Sequence, residues 1–274
     1  MLIMHTSSAI DVFTGTPLDF QYSPHKDEVS LTLEIISRQK APKTLFILDR
    51  LYIQTKIIKA IKDDQYFIIR CKKSSSFKAV DKFVLSGKAE EYINLCSKKI
   101  RLIRINLPKG GVLILATNLG KSFCKKEIES LYRFRWEIET TNRETTDTQK
   151  IEEFHATDLN GILQEIYAGM ILRAFTKIEI ARNFPPPKVN TESYRKPNFK
   201  ELFTFIKENL FSFVFKISLD LYEDVKTIIK KTLEKRMHYA RTNERKVVNS
   251  KHRRYKKDTT RPRTFAAEGG GTLG

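Results

Sequence analysis

At 274 residues the chain is long enough to bury a substantial core, and its 50 Lys and Arg against 32 Asp and Glu leave a net charge of +18. An excess of that size points to a polyanionic partner, of which nucleic acid is the commonest. No run approaches the ~20 apolar residues of a membrane span and no signal peptide opens the chain, so a soluble, cytoplasmic protein is expected.

The chain opens with "MLIMHTSSAIDVFTGTPLDFQYS", two β-like runs joined at Thr14-Gly15-Thr16-Pro17, which predicts a hairpin. "DEVSLTLEIISRQ" has helical spacing at Val29, Leu31, Leu33, Ile35 and Ile36. "TLFILDR" is a short apolar run that stops at Asp49 and Arg50 and reads as a buried strand with a carboxylate at its C-terminal end, where open α/β sheets place ligands. A helix over "YIQTKIIKAIKDD" follows. From Tyr66 to Asn118 four strands are expected, "YFIIR", "KAVDKFVLS", "KKIRLIRINL" and "GVLILATNL"; this stretch is basic, and either an ordinary half-exposed sheet or a DNA-facing surface fits it.

"LYRFRWEIETTNRETTDTQK" is predicted as one helix. Its 100° steps bring Tyr132, Arg135, Trp136, Glu139, Arg143, Thr146 and Lys150 onto one stripe, with Leu131, Phe134 and Ile138 opposite. Arg135, Glu139 and Arg143 form i,i+4 pairs of opposite charge, so a solvated face explains the stripe as well as a binding surface does. A long, largely buried helix over "LNGILQEIYAGMILRAFTKIEIARNF" ends at three prolines, and two more helices are expected in "NFKELFTFIKENLFSFVF" and "LDLYEDVKTIIKKTLEKRM". Between Lys231 and Arg263 there are 13 Lys and Arg against three Asp and Glu, a segment suited to phosphate contact or to solubility alone. The final "AAEGGGTLG" has no interpretable pattern.

Cys71, Cys96 and Cys124 are too scattered for a disulfide framework or a zinc site, and the five histidines lack ligand spacing. Any metal would therefore be held by carboxylates, which suits Mg²⁺ or Mn²⁺.

The strand ending at Asp49-Arg50, the strand ending at Thr117-Asn118-Leu119, and Tyr132, Arg135 and Glu139 at the spacing Tyr-x2-Arg-x3-Glu together resemble the catalytic region of a DDE transposase of the insertion sequence 4 family. The resemblance covers residues 2 to 263. It implies an α/β, ribonuclease-H-like core at 1–65 and 111–183, interrupted by a β-rich insertion at 66–110, with a helical basic region at 184–263 and a tail at 264–274. It also implies two-metal strand cleavage and strand transfer, in which two aspartates and a glutamate hold the ions that stabilise the attacking and leaving oxygens.

By that resemblance Asp49 is the second aspartate and Glu139 the glutamate, both of them catalytic metal ligands. Tyr132 and Arg135 would contact phosphates of a transposon end. Trp136 would stack on DNA or lie in the core, and Arg143, Lys150, Arg253 and Arg254 would supply further DNA contacts. DNA is the implied partner and a homodimer in a synaptic complex the implied assembly. Thr146 stands where the family pattern has lysine, and the strand bearing the first aspartate would precede this chain's first strand. Asp11, in "DVFTG", reads as a turn residue instead. The expectation is a truncated copy, inactive alone, with weak Mg²⁺ or Mn²⁺ binding. The alternative is a non-catalytic DNA-binding remnant or regulator; a basic RNA-binding protein is the third class, supported by neither an aromatic RNP pattern nor a GXXG loop.

Overall fold

The computed structural model describes residues 5–72, 77–107, 111–147, 154–184, 197–214 and 223–231. Strands β1 (His5–Ile10) and β2 (Pro17–Ser23) pair antiparallel as the expected hairpin. Its turn is held by Asp11, whose Oδ1 accepts from the Phe13 N–H at 2.8 Å and more distantly from Thr14, while Gly15 takes a positive φ of 74°. Helix α1 (Glu28–Arg38) starts at Asp27, whose carboxylate accepts from the Ser30 N–H, and it buries Val29, Leu31, Ile35 and Ile36.

A five-stranded mixed sheet follows. Strands β3 (Leu45–Leu48) and β4 (Tyr66–Arg70) are parallel, joined by a 3₁₀ turn at Arg50–Tyr52 and by α2 (Thr55–Ala60). Strands β5 (Glu90–Leu95), β6 (Lys98–Asn106) and β7 (Val112–Thr117) are antiparallel neighbours, and β7 also pairs with β4, giving the order β3-β4-β7-β6-β5.

Why β4 reads as an unbroken apolar run is visible in its surroundings. Phe67 and Ile69 pack on one face with Ile36, Ile57, Ile58 and Phe83, whereas Ile68 packs on the other with Leu115, Ile128 and Tyr132. A strand covered on both faces has no polar side to alternate with.

Helix α3 (Lys78–Ser86) corrects the reading of "KAVDKFVLS" as a strand. Val80 and Phe83 are buried one turn apart, Leu85 is 86% exposed, and Gly87 ends the helix in the left-handed region at φ 70°. The apolar period is three to four residues, not two, and the glycine after it is a C-terminal stop signal.

The expected single helix over 131–150 is likewise two within the described residues: α4 (Lys125–Arg133) and α5 (Trp136–Asp147). Between them the Phe134, Arg135 and Glu137 N–H groups bond to carbonyls only three residues back. That tightening interrupts the regular helix, and Phe134 and Ile138, expected opposite the stripe, line the same cavity as Arg135 and Glu139.

Helix α6 (Leu159–Asn183) packs through Leu172 against α7 (Phe199–Glu208), α8 (Leu210–Val214) and a helical stretch at 223–231, where Phe203, Ile206, Phe213 and Ile229 form a separate cluster. It is less buried than expected: Tyr167, Ile171 and Ile178 are exposed. Apolar residues on all sides of a helix do not bury it unless neighbours cover every side. No described helix is long and apolar enough to cross a membrane.

Candidate active site

Asp49 follows the last residue of β3 and begins the 3₁₀ turn, its carbonyl accepting from the Tyr52 N–H at 3.1 Å. Its side chain does not cap that turn, and Oδ1 is buried with no hydrogen-bond partner. The sheet that carries this strand is fixed from the far side of β4, at the end opposite Asp49. Thr117 Oγ1 donates to the Phe67 carbonyl at 2.5 Å and accepts from the Leu119 N–H at 3.1 Å. Asn118 Oδ1 accepts from the Phe67 N–H at 2.9 Å while its Nδ2 donates to the Gln65 carbonyl at 2.8 Å. Two side chains thus continue the ladder where β7 ends and pin the start of β4, whose Phe67 is in register with Phe46 of β3. The Thr-Asn-Leu sequence is legible as a strand end, but not as a latch.

Tyr132 lies in α4, 7% exposed, with its hydroxyl buried and unpaired. Burial pushes its phenol up to about 12 and the charge on Asp49 adds to the shift, while Arg135 and Arg70 pull against it. Arg135 sits at the break between α4 and α5. Its Nη1 is 2.8 Å from Glu139 Oε1, its plane lies over the rings of Tyr132 and Trp136, and its Nε is buried without a partner. Desolvation opposes the guanidinium charge, but Glu139, Tyr132 and Asp49 outweigh it and raise its pKa.

Asp49, Arg135 and Glu139 line one cavity of about 390 Å³ between β1, β3, α1 and α5. At its α1 side the Tyr52 hydroxyl donates to Glu28 and the Ser7 and Thr32 hydroxyls bond at 2.8 Å. The structure therefore brings Asp49, Arg135 and Glu139 together, with Tyr132 behind them. Trp136 is 62% exposed, which excludes the core reading of that residue. Arg143 is exposed further along α5, and the Thr146 hydroxyl bonds back to the Asn142 carbonyl of its own helix. Lys150, Arg253 and Arg254 lie outside the described residues.

What positions α5 is a group that no motif in the sequence announces. Glu144 Oε2 is 2.6 Å from Arg173 Nη2 and 2.9 Å from Lys177 Nζ, both from α6, and both cations lie over the Phe199 ring of α7. Arg173 is 2% exposed. Burial lowers its pKa, with Glu144 acting in the opposite sense. The available signal is the pair Arg173 and Lys177, four residues apart in a largely apolar helical run.

The donor chemistry suits a hard divalent cation in part. Asp49 offers a buried oxygen with no other bond and Glu139 a second carboxylate on the same cavity, yet one Glu139 oxygen is already held by Arg135. Among the described residues no three His, Cys, Asp or Glu side chains come together as a metal-binding group.

Residues 3–175 match the family model described as "Transposase DDE domain". No curated protein matches. Among solved structures the chain is similar to one titled "Cryo-EM structure of piggyBac transposase synaptic complex with hairpin DNA (SNHP)", at 8% identity and a TM-score of 0.41, over 84% of this chain and 47% of that one. This chain thus spans about half of that neighbour, and the likeness is too distant to identify a shared site.

Proposed function

This chain belongs to the transposase DDE domain family, and we propose that the cavity bearing Asp49, Arg135 and Glu139 is its site for DNA strand cleavage and strand transfer at transposon ends. Within that family the insertion sequence 4 group is the fitting assignment, on Tyr132, Arg135 and Glu139 at their spacing. The observation that carries the reading is the convergence of Asp49 and Glu139, ninety residues apart in sequence, on one cavity. A ribonuclease-H-like core is supported by the hairpin, the parallel β3–β4 pair and the helix between those two strands.

In this reading Asp49 and Glu139 would hold Mg²⁺ or Mn²⁺, which when bound supplies charge neutralisation at the scissile phosphate and a deprotonated nucleophile. The rest is the chain's own contribution. Arg135 holds Glu139 and directs a buried cation toward the site, where phosphate oxygens gather charge. Tyr132, with its phenol held protonated by burial and by Asp49, keeps a hydrogen available for donation. Trp136 presents an exposed ring, backed by Arg135, suited to stacking on a base. Arg143 and the basic segment from Lys231 to Arg263 would bind phosphates beyond the site.

With two carboxylates and one of them shared with Arg135, cation affinity is weak and the chain alone is inactive in cleavage. The competing reading, a DNA-binding regulator without catalysis, draws on the lack of a three-ligand metal group among the described residues. A labelled transposon-end duplex incubated with the chain and Mg²⁺ or Mn²⁺ tests both. The site reading expects no cleavage by the chain alone, and Mn²⁺-dependent strengthening of end binding that is lost in Asp49→Asn and Glu139→Gln. End binding indifferent to metal and to both substitutions would favour the regulator.

A further inference from the structure

The outer side of α6 is out of keeping with a chain that is 30% charged and carries a net charge of +18. Tyr167, Ile171 and Ile178 are exposed there, Ile171 to 68%, with half-buried Ala174 among them. Their spacing of four, three and four residues keeps the four side chains within a stripe about 60° wide. The opposite side of the helix, with Ile166, Leu172, Thr176 and Glu179, is buried. From Ile166 to Ala181 the only charges on α6 are Arg173, Lys177 and Glu179. Arg173 and Lys177 are held by Glu144 and Glu179 is 1% exposed, so the stripe itself is uncharged.

Beside the stripe runs an open groove of about 330 Å³ between α6 and β2, lined chiefly by Leu18, Phe20, Tyr167, Met170, Ile171 and Ala174. Leu18 is exposed, and Phe20 meets the Tyr167 ring edge-on at 6.1 Å. The charged groups of the groove, Asp19 and Arg38, pair with each other at 3.5 Å, which leaves the face neutral as a whole. A neutral apolar face gives no hold to nucleic acid or to an acidic protein, which the net charge draws to the rest of the surface. It is also where a second copy can approach with least repulsion between like charges. Within it the projecting Ile171 stands beside the recess over Ala174. A knob and a hole on one patch are what an isologous contact needs.

We propose that this face is a self-association surface: two copies pack their α6 helices antiparallel about a two-fold axis, each Ile171 seated in the recess over the partner's Ala174. A parallel pair would set Ile171 against Ile171 and leave both recesses empty. The antiparallel pair fills both, sets Tyr167 opposite the partner's Ile178 and opposes the helix dipoles. The small side chain of Ala174 lets the two helices approach closely. About 16 Å of helix and one strand make a smaller contact than the ~20–30 residues a side of a stable complex, so the pairing is weak, with a dissociation constant on the order of 10–100 µM. The contact uses neither DNA nor the cavity at Asp49, unlike the synaptic assembly that the sequence resemblance implies, and its fate is separate from that of the strand-cleavage reading.

Sedimentation velocity of the full chain without DNA or metal reads the contact, at about 0.5 M NaCl so that charge repulsion is screened. A reversible monomer to dimer equilibrium is expected, and Ile171→Gln should weaken it at least about tenfold. Ala174→Leu separates a fitted contact from a sticky patch: it adds apolar surface but fills the recess, so dimerisation should weaken by about the same factor, with the far-ultraviolet circular dichroism unchanged. The register is read by cross-linking with a short bismaleimide, in chains whose accessible Cys96 and Cys124 are replaced by Cys96→Ser and Cys124→Ser. A chain with Tyr167→Cys and one with Ile178→Cys should link to each other when mixed. Neither should link to itself, because like positions lie about 16 Å apart along the antiparallel pair. A chain that stays monomeric up to about 300 µM overturns the proposal and gives the face to a different partner. So does dimerisation that Ile171→Gln leaves unchanged or that Ala174→Leu strengthens, or linkage between like positions.

Discussion

Tyr132 and Asp49 each carry a buried oxygen without a hydrogen-bond partner, and an unpaired buried polar atom costs about 1–3 kcal/mol. Tyr132→Phe removes one such atom and keeps the ring that packs with Ile128 and Leu119. The substitution is expected to raise stability by about 1 kcal/mol at neutral pH, read as a higher urea midpoint at an unchanged slope. The gain grows with alkali. The folded phenol titrates near 12 against an ordinary 10, so the folded state keeps a proton that the unfolded state releases. Stability is undiminished below pH 10 and falls as pH rises toward 12. Across that interval the wild type should lose more stability than Tyr132→Phe; parallel curves would mean that the hydroxyl reaches solvent. Of this neighbourhood the place of Asp49 at a strand end is legible in the sequence, where a short apolar run stops at a carboxylate. The burial of Tyr132 is not, because the break at Phe134 and Arg135 arises from tertiary packing, including an edge-on contact of Phe134 with Phe13 of the hairpin turn.

Among the elements, α5 is held where Glu139 meets the cavity by Glu144 on Arg173 and Lys177 of α6. Removing the anion alone strands a nearly solvent-free guanidinium whose Nε and Nη1 already lack partners. Glu144→Ala should therefore cost about 3–5 kcal/mol in urea unfolding. Arg173→Met combined with Glu144→Leu should recover most of that loss, since a well-packed apolar replacement for a buried pair is often neutral or better. A double variant as unstable as Glu144→Ala would show that the pair is worth more than its desolvation cost. The apolar pattern makes α1, β4 and β7 legible, because each is covered in a manner that its own residues declare. It misleads at α3, where a short run with Val80, Phe83 and Val84 has the composition of a strand although its spacing is helical. The sheet order β3-β4-β7-β6-β5 cannot be read from the sequence at all, since nothing local to β7 announces that it will lie against β4.

For the whole molecule the net charge of +18 is concentrated, with the segment from Lys231 to Arg263 holding 13 basic residues. If those residues meet phosphates, neutralising Arg253, Arg254, Arg261 and Arg263 should flatten the plot of log affinity against log salt by about 0.9 for each phosphate no longer paired with an arginine. An unchanged slope in a titration with duplex DNA would assign them to solubility. The basic surplus is legible from composition, and the family through three short motifs in order. The convergence of two of those motifs on a cavity between two sheets needs the fold. The proposed site stands on Asp49 and Glu139 acting there as a pair of metal ligands. That pairing is tested by Mn²⁺ binding followed by electron paramagnetic resonance, on the wild type and on Asp49→Asn and Glu139→Gln with urea midpoints measured alongside. One weak site is expected, with a dissociation constant on the order of 0.1–1 mM, lost in either variant without loss of fold. Mn²⁺ binding that survives both substitutions unchanged would show that neither carboxylate is a ligand.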